Sequence, residues 1–157
     1  DIIRKLIIWS VNWNMEGLHY LLMKANANLN RRIMGEAATL GLSPGQPKVL
    51  ECLMELGESN QKTIAAFCEI EQATVGSILL RMERDGLVRR AQRDGNRRSL
   101  YVSLTPEGIR RGEQLAEIFC RADALAAEGL TPEEQEQLGI LLEKVYRAAA
   151  SDRRGEK

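Results

Sequence analysis

The 157-residue chain lacks most of the residue sets on which enzymes depend. It has a single histidine, His19, so it cannot build a multi-histidine metal site. We also identify no phosphate-binding glycine loop and no nucleophile elbow. We therefore expect no enzyme activity, no metal and no cofactor, and we interpret His19 as a side chain at a subunit interface or in a ligand cleft.

Cysteine is also scarce. Cys52, Cys68 and Cys120 are odd in number, widely spaced and placed in helical patterns, which is typical of a protein from a reducing compartment. We therefore expect a cytoplasmic protein. Cys52 and Cys68 fall at apolar positions and are expected to be buried structural thiols. The pattern leaves the environment of Cys120 open.

No hydrophobic run in the chain reaches the length of a membrane span. The apolar N-terminal stretch, residues 2–13, contains Arg4 and Lys5 and is interrupted by Asn12. A transmembrane helix needs about 20 consecutive apolar residues. We therefore expect no membrane partner.

An excess of charge of one sign is absent from the chain as a whole, because 22 Lys and Arg balance 22 Asp and Glu. Within residues 81–111, however, nine basic residues stand against four acidic ones, whereas residues 112–150 carry three against eight. A local basic block can attract a polyanion while the acidic remainder limits non-specific binding. The alternative is a charged surface that is merely solvated.

Helical periodicity at both ends of the chain predicts long helices. Apolar residues recur every three or four positions in residues 15–39, and again in the segments that follow Pro106 and Pro132. A Thr131-Pro132-Glu133-Glu134 capping box starts the last helix. A long apolar helix at the end of a small chain has little of its own domain to pack on, so we expect the N-terminal helix to contact a partner subunit, with packing inside the same subunit as the alternative. Residues 151–157 are expected to be a disordered tail.

Between these ends, residues 42–105 predict three short helices and a hairpin. Ser43-Pro44-Gly45-Gln46 is a capping box that should start a helix at Pro44, ended by Gly57, with a buried apolar side. That side comprises Val49, Leu50, Leu53 and Leu56. Residues 63–68 and 72–82 predict two further helices, and residues 89–104 predict a hairpin that turns at Asp94-Gly95-Asn96.

The second of those two helices has contrasting sides. Its expected inward residues are Val75, Ile78, Leu79 and Met82. Its outward or terminal residues are mostly short and polar, which lets a helix backbone approach base edges in a major groove: Gln72, Ala73, Thr74, Ser77 and Arg81.

The hairpin should direct Leu100, Val102 and Leu104 inward and Tyr101 and Ser103 outward, by the period of two. Its turn is basic. Arginine on a thin, protruding loop fits a narrow minor groove. The candidate residues at this tip are Arg93, Asn96, Arg97 and Arg98.

Five segments in register resemble the MarR family of bacterial winged helix-turn-helix regulators. They are residues 42–50, Ile64-Ala65, Thr74-Val75, residues 82–90, and Asn96-Arg97-Arg98 together with residues 103–108. The resemblance implies a mainly α fold with a small β-hairpin wing. It implies a winged helix-turn-helix DNA-binding domain in residues 42–105, and N- and C-terminal dimerisation helices in residues 1–40 and 106–150. It also implies a ligand-responsive homodimer, expected to be a repressor, that binds double-stranded DNA at a palindromic operator.

The resemblance also implies an Asp-x-Arg signature in the wing, in which the Asp holds the Arg that enters the minor groove. Arg98 matches the Arg, but Asn96 replaces the Asp. An Asn can accept the same hydrogen bond without charge assistance, and Asp94 lies close by in sequence. A less firmly held wing is therefore expected.

Three points stay open at this stage. A winged helix used only for protein contact is one alternative function, and a thiol-based redox-sensing regulator is another. The family's peroxide sensors resemble one another in a reactive Cys in the first helix, which this chain lacks. Trp9, Trp13 and His19 are candidates for an effector pocket, with aromatic packing in a dimer core as the competing interpretation.

Overall fold

The computed structural model describes residues 17–93 and 96–151, without the side chains of residue 93, residues 96–99 and Ser151. Seven of its elements precede the last two helices. In chain order, the elements are α1 (Leu18–Thr39), α2 (Gln46–Leu56), β1 (Ser59–Asn60), α3 (Gln61–Cys68), α4 (Gln72–Arg84), β2 (Val88–Arg93), β3 (Asn96–Leu104), α5 (Pro106–Ala126) and α6 (Pro132–Ser151). The expected fold class, mainly α with a small β-hairpin wing, is confirmed.

The chain divides into two compact units, Asp1–Ala122 and Asp123–Lys157, with the boundary inside α5. The core of the first unit lies among α2 to α4, the sheet and α5 as far as Ile118. Its largest fully buried apolar side chains come from each of these elements: Leu50, Ile64, Leu79, Met82, Val102 and Leu115. The predicted division into dimerisation and DNA-binding regions is functional and stays a prediction.

The sheet is antiparallel with the strand order β1-β3-β2. Val88 pairs with Leu104 in the hairpin, and the two-residue strand β1 adds a pair between Ser59 and Val102. Val102 is buried as expected, but Leu100 is 46% exposed, so its predicted inward position is wrong. The hairpin extends beyond the apolar core at that point, and alternation alone does not tell where a core ends.

The start of α2 differs from the predicted capping box. The Ser43 amide donates to Oε1 of Gln46 at 2.9 Å, as expected, but the buried Ser43 Oγ has no partner among the described residues. The helix begins at Gln46 rather than Pro44, because Gly45 has a φ of 88° and ends a turn. Gly57 does cap the C-terminus, whereas Leu56 is 47% exposed and not part of the buried side.

Helix α1 begins at Leu18 after an N-capping Gly17, so the described part of the predicted 15–39 helix starts later than expected. Only Ala37 of α1 is buried, and Leu18, Tyr20, Leu21 and Met23 are exposed. Glu36 of α1 accepts a hydrogen bond from Arg121 of α5 at 2.7 Å, which holds the two helices together within the first unit.

The second unit contains the predicted Thr131 capping box in full. The Thr131 amide donates to Glu134 at 2.8 Å, and the Glu134 amide donates to the Thr131 hydroxyl at 3.3 Å. Helix α6 exposes a set of large apolar side chains: Leu138, Ile140, Leu141, Leu142 and Tyr146.

Of the described helices, none is by itself long and apolar enough to cross a membrane. Helices α3 and α4 are long and apolar enough only when they are taken together, and the two are bent by 108° relative to each other.

Candidate nucleic-acid interface

Helices α3 and α4 form a helix-turn-helix. They are bent by 108° at their junction, within the range of about 90–120° typical of that motif. Asn60 caps α3 by accepting the Thr63 amide at 2.9 Å, and Glu69 ends it with a left-handed φ of 54°. The side of α4 that packs on α2 and α3 is the predicted one: Val75, Ile78, Leu79 and Met82 are all buried.

The opposite side of α4 carries the predicted polar set. Gln72, Ala73, Thr74 and Ser77 are exposed. Arg81 is half-buried, and one of its guanidinium nitrogens lies 3.4 Å from the Pro44 carbonyl oxygen, to which it donates. The prediction did not include Leu80, which is 58% exposed, or Arg84, which is also exposed.

Two glutamine amides hold the ends of α4. At the N-terminus, Nε2 of Gln61 donates to the Gln72 carbonyl at 2.7 Å. At the C-terminus, Nε2 of Gln46 donates to Oδ2 of Asp85, the C-cap of α4, at 3.1 Å. Sequence reasoning missed both contacts, because neither pairing leaves a signal in local periodicity. Gln46 is completely buried, so its amide is part of the core as well as of the capping box.

The wing is also tied to α4 by an ion pair. Nε of Arg90 on β2 donates to Glu83 of α4 at 2.9 Å, and this hydrogen bond lowers the pKa of the Glu83 carboxyl. Thr105, just after β3, donates to the Gly86 carbonyl at 2.6 Å and accepts the Gly108 amide at 3.0 Å. The turn after α4, the end of the hairpin and the start of α5 are therefore joined in one hydrogen-bonded corner.

Part of the basic block is neutralised within the protein. Besides the Glu83 pair, Nε of Arg84 lies 3.4 Å from Asp85. Glu107 accepts from Arg111 at 2.7 Å and Arg110 at 3.0 Å, which lowers its pKa. These contacts involve four of the nine arginines in residues 81–111.

Several predicted site residues lie outside what the structure describes. The backbones of Arg93, Asn96, Arg97 and Arg98 belong to β2 and β3, and Arg93 pairs with Asn96, but their side chains are outside the described set. Asp94 and Gly95 are outside it altogether, as are Trp9, Trp13 and residues 152–157. His19 is exposed near the start of α1, with its ring 6.4 Å from that of Tyr20.

The thiols fall into two environments. Cys52 and Cys68 are buried, as expected, and Cys120 is exposed. Burial raises the pKa of Cys52 to about 12 and raises the pKa of Cys68 as well. Both thiols therefore stay protonated at neutral pH and are poor nucleophiles. These environments favour a structural role for the pair.

Residues 41–45 match the letter pattern Gly-x-Ser-x-Gly of a nucleophile elbow, contrary to the expectation that the chain has none. In an elbow that serine lies between a strand and a helix and is exposed to a base. Here the segment joins two helices, and the Ser43 hydroxyl is buried without a hydrogen-bond partner in the described residues. The surroundings of Ser43 therefore lack the features of a nucleophile site.

A helix-turn-helix followed by a β-hairpin, which pairs with the short strand β1 ahead of the motif, defines a winged helix-turn-helix protein. Residues 42–100 match the model of the MarR family. The homoprotocatechuate degradative operon repressor of Escherichia coli is 34% identical over 107 residues, which cover 66% of this chain and 70% of that protein. The chain belongs to the MarR family, and it is a DNA-binding transcription regulator.

Other relatives are similar to this chain over most of its length. The uncharacterised helix-turn-helix regulator YkoM of Bacillus subtilis is 28% identical over 127 residues, covering 81% of this chain and 82% of the relative. The structure of BpsR from Bordetella bronchiseptica, whose DNA binding is regulated by 6-hydroxynicotinic acid, superposes with a TM-score of 0.75 at 25% identity. That match covers 83% of this chain and 99% of BpsR.

Proposed function

We propose that this regulator is a homodimeric repressor that binds a palindromic operator through α4 and the wing and leaves it when a small aromatic acid binds. The observation that carries the proposal is the exposed side of α4, where Ala73, Thr74 and Ser77 are short enough to let the helix backbone approach DNA.

In this proposal α4 lies in the major groove. Gln72, Ala73, Thr74 and Ser77 face base edges or phosphates, and Arg81 contacts the sugar-phosphate backbone near the end of the helix. The amides of Gln61 and Gln46 support this placement, because they hold both ends of α4 without using its exposed side.

The wing lies in the flanking minor groove. Arg98 is inserted there with support from Asn96, while Arg93 and Arg97 contact phosphates. The Arg90–Glu83 ion pair supports this role, because it links the base of the wing to α4 and so relates the two DNA-contacting elements.

Dimerisation uses residues 1–40 and 106–150, and residues 42–105 bind DNA. The exposed apolar side chains of α6, such as Leu141 and Tyr146, and the exposed leucines of α1 support this division, because large exposed apolar sets mark interaction surfaces. A two-fold dimer would present its α4 helices to successive major grooves about 34 Å apart.

The effector is expected to change that spacing, with Trp9, Trp13 and His19 as candidate pocket residues. The support comes from relatives: one is regulated by 6-hydroxynicotinic acid, and another represses the operon for homoprotocatechuate degradation. We further propose that the protein has no enzymatic activity and acts in the cytoplasm, where its DNA target is found.

A gel-shift titration tests the proposal. The purified protein is expected to retard DNA from upstream of its own gene as a complex of two subunits per duplex, and 6-hydroxynicotinic acid, as a probe of the acid class, is expected to weaken that complex. The Ser77→Glu variant should lose binding, because a carboxylate in the groove faces the phosphates. The Gln114→Glu variant, which adds the same carboxylate at an exposed position of α5, is the matched control. If the wild-type protein binds no such fragment, the result would favour the alternative in which the winged helix contacts only other proteins.

A further inference from the structure

Leu80 is the most exposed of the large apolar side chains described, at 58%. A single exposed leucine needs no explanation in itself. Its position is what matters: it follows Ser77 by three residues and Ala73 by seven, so helical geometry places it on the same side of α4 as those two. The buried residues of α4 occupy the opposite side.

We propose that Leu80 is a specificity-determining residue that contacts the 5-methyl group of a thymine in the major groove. This inference rests on the proposed function, in which α4 enters that groove. The thymine methyl is the apolar feature among the donors and acceptors displayed there. Covering it with a leucine removes two apolar surfaces from water at once.

The side chains around Leu80 favour this contact. Ala73, Gly76 and Ser77 are all shorter than leucine, so Leu80 projects beyond them toward a groove that the helix has entered. Arg81 donates to the Pro44 carbonyl and Arg84 lies beside Asp85, so both guanidinium groups have partners within the protein. Leu80 is therefore a single apolar side chain on a surface of small and polar residues.

A protein partner fits these surroundings less well. Protein interfaces place several apolar side chains together at their centre, whereas the exposed neighbours of Leu80 on α4 are small or charged. One isolated leucine is complementary to a target as small as a methyl group. Thymine is therefore the preferred base at the position that Leu80 contacts in each half-site of the operator.

A double-mutant cycle tests the contact. The wild-type protein first selects a duplex from a pool with a random centre, and each thymine of that duplex is then replaced by deoxyuridine, which lacks only the methyl group. We expect Leu80→Ala to weaken binding to the selected duplex about tenfold. At one thymine per half-site, deoxyuridine should weaken wild-type binding to a similar extent. The Leu80→Ala variant should bind that deoxyuridine duplex no more than about twofold more weakly than it binds the thymine duplex.

Two more variants make the result specific. Leu56→Ala removes a leucine of comparable exposure, 47%, from α2 and should bind both duplexes within about twofold of the wild type. Leu80→Met keeps an apolar side chain of similar reach and should retain the preference for thymine over deoxyuridine. If Leu80→Ala and the wild type have the same thermal unfolding midpoint, the weaker DNA binding of the variant does not come from a loss of folding.

Failure of the methyl contact and failure of the proposed function give different results. If wild-type protein selects a sequence but Leu80→Ala loses the same factor on thymine and deoxyuridine duplexes at every position, the methyl contact is overturned while operator binding stands. If wild-type protein selects no sequence, the proposed function fails and this inference fails with it.

Discussion

Replacing Gln46 with leucine should loosen α4 at its C-terminal end. The Gln46 side chain is completely buried. Its Oε1 accepts a hydrogen bond from the Ser43 amide nitrogen at 2.9 Å, and its Nε2 donates one to Asp85 at 3.1 Å. Leucine has a similar volume and fills the space, but it makes neither hydrogen bond. The variant therefore separates the polar role of Gln46 from its packing role.

The size of the effect follows from the two bonds. A hydrogen bond to a charged group contributes about 1.5–3 kcal/mol, and the lower end applies because Asp85 is exposed and regains water. The part-buried Ser43 amide adds about 1 kcal/mol when it loses its acceptor. We expect a total loss of about 2–3 kcal/mol in the free energy of unfolding.

Urea unfolding at a fixed protein concentration measures this loss. With a denaturant dependence of about 2 kcal/mol per molar urea, the midpoint should fall by about 1 M. Gln114→Leu, on the exposed surface of α5, should stay within about 0.5 kcal/mol of the wild type. Equal midpoints for Gln46→Leu and Gln114→Leu would refute the role assigned to the buried amide.

Three further predictions have defined outcomes. Arg98→Ala should weaken operator binding and reduce the slope of log affinity against log salt by about two per dimer, whereas an unchanged slope would remove Arg98 from the DNA contact. Gly108→Ala should destabilise the protein by about 3 kcal/mol, because its Cβ would lie 2.0 Å from the Leu87 carbonyl oxygen. Gly35→Ala, which meets nothing within 4 Å, should be neutral or stabilising, and equal thermal midpoints for the two variants would contradict that steric argument. In the native protein at pH 8, a thiol reagent should modify Cys120 quickly, and Cys52 and Cys68 only after unfolding, because burial raises the pKa of both. Rapid modification of all three would instead support the redox-sensing alternative.

The buried side of α4 could be predicted because helical periodicity depends only on local sequence. All four of its inward residues are where the pattern placed them, and the Thr131 capping box is formed as predicted. Local chemistry decides such features, since the interacting groups lie within four residues of one another.

Features that depend on distant neighbours could not be predicted. Gln46 accepts a hydrogen bond from the nearby Ser43 amide but also contacts Asp85, 39 residues away. The two-residue strand β1 has no periodicity of its own. Leu100 and Leu56 fall at the inward positions of their periodic patterns, but the core ends before it reaches either. The exposure of Leu80 was not predicted, although helical spacing alone places it on the polar side of α4 with Ala73 and Ser77.

Chemical protection of guanine N7 on the selected duplex is the most direct test of DNA binding through α4, because that atom is displayed only in the major groove. We predict two clusters of protected guanines centred about 10 base pairs apart, and the loss of both in Ser77→Glu. Protection at a single cluster, or protection that Ser77→Glu leaves unchanged, would contradict the placement of α4 in successive major grooves.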